Sequence, residues 1–179
     1  MKNKLLILVT LIIISINTFA QSKMIVGQNH TILAEIPNNW IQAENDKLSF
    51  FIRPDETNVS PWTYMYVYGI DYDIKPEIEK WIDDNSKNLK LNFPEVIIGK
   101  INLDFKNLKD SKYYTGKNQV VTYEYADKRK ECLLIIECKN SIITVALSAE
   151  NDKKFNEYLK AFSKLGNSIK ITETELKRE

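Results

Sequence analysis

Residues 117–149 read KNQVVTYEYADKRKECLLIIECKNSIITVALSA, and this stretch decides the fold. Three runs, Gln119 to Ala126, Glu131 to Lys139 and Ser141 to Ala149, are rich in β-branched and aromatic residues. Polar joints at Asp127-Lys128-Arg129-Lys130 and Lys139-Asn140-Ser141 separate them. Connections this short make consecutive strands antiparallel neighbours. The second and third runs are apolar almost throughout rather than alternating, the mark of strands buried on both faces.

Upstream of this block the pattern is also one of strands. Thr31 to Ile36 alternates and stops at Pro37-Asn38-Asn39, Leu48 to Arg53 stops at Pro54-Asp55, and Trp62 to Tyr72 forms a longer run after a polar loop. These three segments suggest an antiparallel meander. The period then changes: Ile78, Trp81, Ile82 and Leu89 share a helical face opposite Glu79, Lys80, Asp83, Asp84 and Lys87. Pro76 suits a first helical position, and Phe93-Pro94 ends the segment. A strand from Val96 to Leu103 and a loop around Asn107 to Lys112 lead into the central block. A last helix starts at Asn151 or Asp152, carries Phe155, Tyr158, Leu159, Phe162 and Leu165 on one face, and is expected to end at Gly166. The expected fold class is α+β, an antiparallel β-sheet flanked by helices.

Domain organisation follows from the two ends. Lys2 and Lys4 precede an apolar run from Leu5 to Ile14 and a more polar stretch closing on Thr18-Phe19-Ala20, which reads as a cleaved secretory signal over residues 1–20. The run is about half the length of a membrane-spanning helix, so no stable membrane anchor is expected after cleavage. No cysteine stands at the expected cut to take a lipid. Residues 21–171 then form a single α+β domain and 172–179 a charged, apolar-poor tail. An exported protein of this kind is expected in the periplasm or outside the cell.

Charge and motif content narrow the function. Of 25 basic and 24 acidic residues the signal removes Lys2 and Lys4, leaving a net charge of −1, which argues against a nucleic-acid partner. Cys132 and Cys138 are six strand positions apart, about 20 Å, whereas a disulfide spans no more than about 7 Å. Both are expected as buried free thiols on one sheet face with Leu134 and Ile136. His30, the only histidine, lacks a nucleophile elbow and reads as an exposed residue before the first strand. The five glycines are isolated, so no phosphate-cradling loop is present. Asp71, Asp73 and Glu77 lack calcium-loop spacing and read as acids at a helix entrance. No catalytic residue, metal or cofactor is expected.

A strand closing on Ile36-Pro37-Asn38-Asn39-Trp40, a strand ending Phe51-Ile52-Arg53-Pro54, a helix, a strand series and a terminal helix ending Gly166-Asn167-Ser168-Ile169 together resemble the PsbP and DcrB superfamily. The resemblance spans nearly all of the chain after residue 20. It implies a sheet flanked by helices in a binding, assembly or chaperone-like module, often exported in bacteria, with no catalytic residue to carry over.

One feature stands apart. Trp62, Tyr64, Tyr66 and Tyr68 alternate, so along a strand they line one sheet face, with Thr63, Met65 and Val67 on the other. Such a row either packs under a helix or offers an aromatic contact patch. The leading expectation is a non-enzymatic module acting on another protein of the envelope or extracellular space. The alternatives are a small-ligand carrier with an enclosed apolar pocket between sheet and helix, an inhibitor of a secreted toxin, and a hydrolase of unfamiliar design.

Overall fold

The computed structural model describes residues 21–174. The expected signal at 1–20 and the end of the expected tail at 175–179 lie outside the described residues.

Among the described residues, ten strands and two main helices follow the order β1 (Ser22–Val26), β2 (His30–Glu35), β3 (Trp40–Gln42), β4 (Phe50–Pro54), β5 (Tyr64–Asp71), α1 (Ile78–Asn92), β6 (Ile97–Ile101), a 3-10 turn (Lys106–Asp110), β7 (Tyr114–Glu124), β8 (Lys130–Cys138), β9 (Ser141–Ala149), α2 (Asp152–Ser168) and β10 (Lys170–Glu173). A seven-stranded antiparallel sheet runs β3-β4-β5-β9-β8-β7-β6, and a three-stranded sheet runs β1-β2-β10. The class is α+β, with an antiparallel sheet flanked by helices. β9 and β8 sit at the centre of the large sheet, which is why their sequences are apolar on both phases.

The two phases serve different cores. Even positions of β8, Cys132, Leu134, Ile136 and Cys138, face a core completed by Phe155, Phe162 and Leu165 of α2 and by Ile32 and Ile171 of the small sheet. Odd positions, Leu133 and Ile135, face a second core with Ile78, Val121, Tyr123 and Ala146, under α1. Both cysteines are free and fully buried on the α2 side. Burial pushes the Cys138 thiol up to about 12 and the Cys132 thiol higher still. Neither thiol is therefore expected to label with an alkylating reagent until denaturant is added. Rapid labelling of the folded protein would contradict this.

Several expectations need correction. β2 does not join β4 and β5 in a meander; it leaves for the small sheet, where it pairs with β1 and β10. β1 and β3 are short edge strands whose alternation is too brief to register as a pattern. The chain also stays paired two residues past the expected boundary, because Thr172 and Glu173 lie opposite Thr31 and His30. Gly166 does not end α2: the helix runs to Ser168, and Gly166 is buried where Phe105 lies against its backbone, leaving no room for a side chain. α1 begins at Ile78, two residues after Pro76.

His30 is not exposed. It is 1% accessible, inside β2, with its ring between Gly27 and Gly69. Its Nδ1 donates to Asp71 Oδ1 at 2.7 Å, since a carboxylate only accepts. Asp71 Oδ2 takes the Gln28 amide at 2.8 Å. The pair therefore ties the small sheet to β5 of the large one, and Asp71 is occupied in this way rather than gathered with Asp73 and Glu77. Among the described residues no group of three or more His, Cys, Asp or Glu side chains is placed to hold a metal ion.

Candidate functional site: an aromatic and arginine cluster beside a tyrosine-lined cavity

The loop before β5 is ordered by Arg53, whose guanidinium donates to the carbonyls of Val59 and Ser60 at 3.0 and 2.8 Å. A turn closed by the Thr63 amide on Ser60 carbonyl then delivers Trp62 just ahead of the strand. Trp62 thus stands outside β5, while Tyr64, Tyr66 and Tyr68 alternate along it on the α1 face. Met65 and Val67 fill the α2 core. Exposure is greatest at the two ends of the row, 53% for Trp62 and 44% for Tyr68, and Tyr64 and Tyr66 are half-buried between them. The row is therefore split between a packed centre and open ends.

Arg129 joins this row from the β7–β8 hairpin. The Lys128 amide donates to the Tyr125 carbonyl, the Tyr125 amide donates to the Arg129 carbonyl, and Lys128 adopts a left-handed φ of 71°, a three-residue loop with a bulge. That geometry folds Arg129 back over its own hairpin. Its guanidinium carbon lies 4.0 Å from the ring centre of Tyr125, 4.7 Å from Trp62 and 5.7 Å from Phe93. Phe93 also meets Tyr125 edge to face at 5.1 Å. The Arg129 side chain is 11% accessible and its Nε has no hydrogen-bond partner, with Asp127 and Glu131 oxygens at 3.9 and 4.0 Å, outside hydrogen-bond range. Ile97, exposed, shares a surface hollow with Tyr125.

Next to this cluster the α1 face of the sheet is hollow, and the register explains why. Tyr64 lies opposite Ser148, Ser148 opposite Glu131, and Glu131 opposite Tyr123, one row across four strands. In the next row Ala146 stands between Tyr66 and Leu133. Small side chains on β9 between tyrosines on β5 and β7 leave a cavity of about 180 Å³, roofed by Asn85 and Leu89 of α1. Tyr125 donates to Glu131 Oε2 at 2.8 Å and Asn85 donates to the Tyr123 hydroxyl at 3.4 Å. The Ser148 hydroxyl is buried without a well-formed hydrogen bond and stands opposite Tyr64, where it opposes the rise that burial imposes on the phenol. Burial, and then the Glu131 carboxylate, push the Tyr64, Tyr66 and Tyr125 phenols up; at Tyr123 burial again leads, Asn85 opposes it, and Glu131 adds to it.

No protein-family model and no curated protein matches the chain. A solved structure does, the solution structure of cyanobacterial PsbP (CyanoP) from Synechocystis sp. PCC 6803. This chain resembles PsbP. The identity is 13%, the match covers 87% of this chain and 95% of that one, and the TM-score is 0.49. No residue role is carried over from it. Among the described residues no helix is long and apolar enough to cross a membrane.

Sequence reading singled out Trp62, Tyr64, Tyr66 and Tyr68 as a candidate row but not Phe93, Tyr123, Tyr125, Arg129, Glu131 and Ser148, which the structure places beside it. The alternating Tyr123 and Tyr125 were a visible signal of the same kind as the first row. Their convergence was not visible, because two strands, β9 and β8, lie between β5 and β7.

Proposed function

We propose that the protein is an exported, non-enzymatic module that binds another protein of the envelope or extracellular space through the Trp62, Phe93, Tyr125 and Arg129 cluster. The observation that carries this reading is an exposed tryptophan and a 44% exposed phenylalanine held rigidly around a mostly buried arginine with an unpartnered Nε. Trp, Tyr and Arg dominate the energetics of protein contacts, and rings already fixed by stacking lose little entropy on binding. Ile97 extends the apolar area beside them. An inhibitor of a secreted toxin and an assembly factor are both versions of this reading, distinguished by the partner.

The hydrolase alternative finds no support in these clefts. Glu131 is the single carboxylate lining the tyrosine cavity, and the His30–Asp71 pair is buried elsewhere. The tyrosine cavity, about 180 Å³ and bordered by Glu131, Ser148 and Asn85, is smaller and more polar than the pocket expected of a carrier of apolar ligands.

Capture from envelope extract tests the proposal, with immobilised wild type compared with Trp62→Ala and with Ile41→Ala, an exposed apolar residue on the short edge strand β3. A protein retained by the wild type and by Ile41→Ala but lost with Trp62→Ala is the expected outcome. Capture that ignores Trp62→Ala, or no specific capture, would overturn it.

A further inference from the structure

The cavity under α1 has a chemistry of its own, although it shares Tyr125 with the partner-binding cluster. Four tyrosines, Tyr64, Tyr66, Tyr123 and Tyr125, surround it, and Glu131 supplies its only formal charge; among the described lining residues there is no Lys, Arg or His. Glu131 Oε2 is held by the Tyr125 hydroxyl, while Oε1 stays 4.0 Å from Arg129, beyond hydrogen-bond range. The buried Ser148 hydroxyl in the same wall makes no well-formed hydrogen bond, although it lies close enough to Tyr64 to oppose the rise that burial imposes on that phenol, and no described residue fills the space it borders. Aromatic walls with a nearby carboxylate attract a cation whose charge is spread over an apolar surface, because ring faces are electronegative and such a cation is cheap to desolvate.

We propose that this cavity binds a compact organic cation of the quaternary-ammonium class, with Tyr64, Tyr66, Tyr123 and Tyr125 as its walls and Glu131 as its counter-charge. Beyond burial, the Glu131 carboxylate disfavours a further negative charge at each of the four phenols, while Arg129 opposes it at Tyr64 and Tyr125. The volume, about 180 Å³, suits one small head group and excludes an extended chain. The same trimethylammonium chemistry occurs on free small molecules and on lipid head groups, so both sources are tested.

The purified protein is titrated with choline and with its uncharged isostere, in which carbon replaces the quaternary nitrogen, while tyrosine and tryptophan fluorescence or NMR shifts are followed. Saturable binding of choline, at least about ten-fold tighter than the isostere, is expected. Glu131→Gln should weaken choline about ten-fold by removing the counter-charge. Ala146→Leu should abolish binding by filling the hollow while leaving every polar group in place. Circular dichroism and denaturant midpoints on both variants separate lost binding from lost folding. Vesicles of phosphatidylcholine, against vesicles of phosphatidylglycerol, then assign the source: pull-down by the first that free choline competes indicates a lipid head group, and choline binding without vesicle binding indicates a free solute. No saturable response to choline, equal affinity for the isostere, or binding by a folded Ala146→Leu protein as tight as wild type would each overturn the proposal. None of these outcomes depends on Trp62 or on a protein partner.

Discussion

Replacing Gly69 by alanine should cost about 3 kcal/mol, the upper end for overpacking a filled interior. A β-carbon there would fall on the His30 imidazole, against Nε2, Cε1 and Cδ2 at once. The ring cannot retreat, because Gly27 backs its other side and Nδ1 is anchored on Asp71. Gly27→Ala meets the same ring and should be nearly as harmful. The cause can be isolated with a double mutant. If the clash with His30 is responsible, Gly69→Ala combined with His30→Ala should be about as stable as His30→Ala alone, within about 0.5 kcal/mol. Denaturant unfolding of the four proteins measures this. A Gly69→Ala protein within about 0.5 kcal/mol of wild type would show that the two sheets are not locked by this contact.

Loss of the Glu137 side chain should be the second large effect. Glu137 lies on the α1 side of β8 and is 1% accessible. Its Oε2 accepts the Ile78 amide at 3.0 Å and its Oε1 accepts the Thr115 hydroxyl at 2.8 Å, with Lys75 at 3.4 Å from Oε1. Glu77, the residue before α1, makes no side-chain cap, so Glu137 caps the helix from the sheet. Glu137→Ala leaves the buried Ile78 amide without an acceptor, while the Thr115 hydroxyl keeps the backbone carbonyl of residue 137 at 3.1 Å, and should cost about 2 kcal/mol. The charge matters as well. Burial alone would raise the Glu137 carboxyl, but the Ile78 amide, Thr115, Lys75 and Lys117 outweigh it and hold it below the usual carboxylate range. A depressed folded value means stability is present above the unfolded value of about 4.3 and is lost as pH falls through the lower folded value. Wild type should therefore lose stability across that acid window. Glu137→Gln should lose less over the same window, and equal acid slopes for the two proteins would contradict the assignment.

How much of this was legible in the sequence depends on whether a signal was local. The β7-β8-β9 block was, because two strands buried on both faces write continuous apolar runs and their joints are short. The burial of Cys132 and Cys138 on one face followed from an even spacing alone. The amphipathic faces of both helices were equally plain. His30 was misread because a lone histidine near a chain end carries no pattern. Its burial depends on two glycines, one three residues before it and one on β5, that meet only after the small sheet folds against the large one. The aromatic row was half legible. Alternation placed Tyr64, Tyr66 and Tyr68 on one face, but whether that face was covered depended on how far α1 reaches. The remote cap on α1 had no sequence signal at all, since Glu137 and Ile78 are 59 residues apart.

The most direct measurement is the affinity of the purified captured protein for wild type and for Trp62→Ala, with denaturant midpoints determined on the same samples. Trp62 is half exposed and lies in a turn outside the sheet, so its truncation should cost no more than about 1 kcal/mol, the worth of its stacking on Arg129. As an anchor of the contact it should weaken binding at least about ten-fold. That combination is the expected result; an affinity unchanged in a fully folded Trp62→Ala protein would contradict the assignment of this cluster as the binding surface.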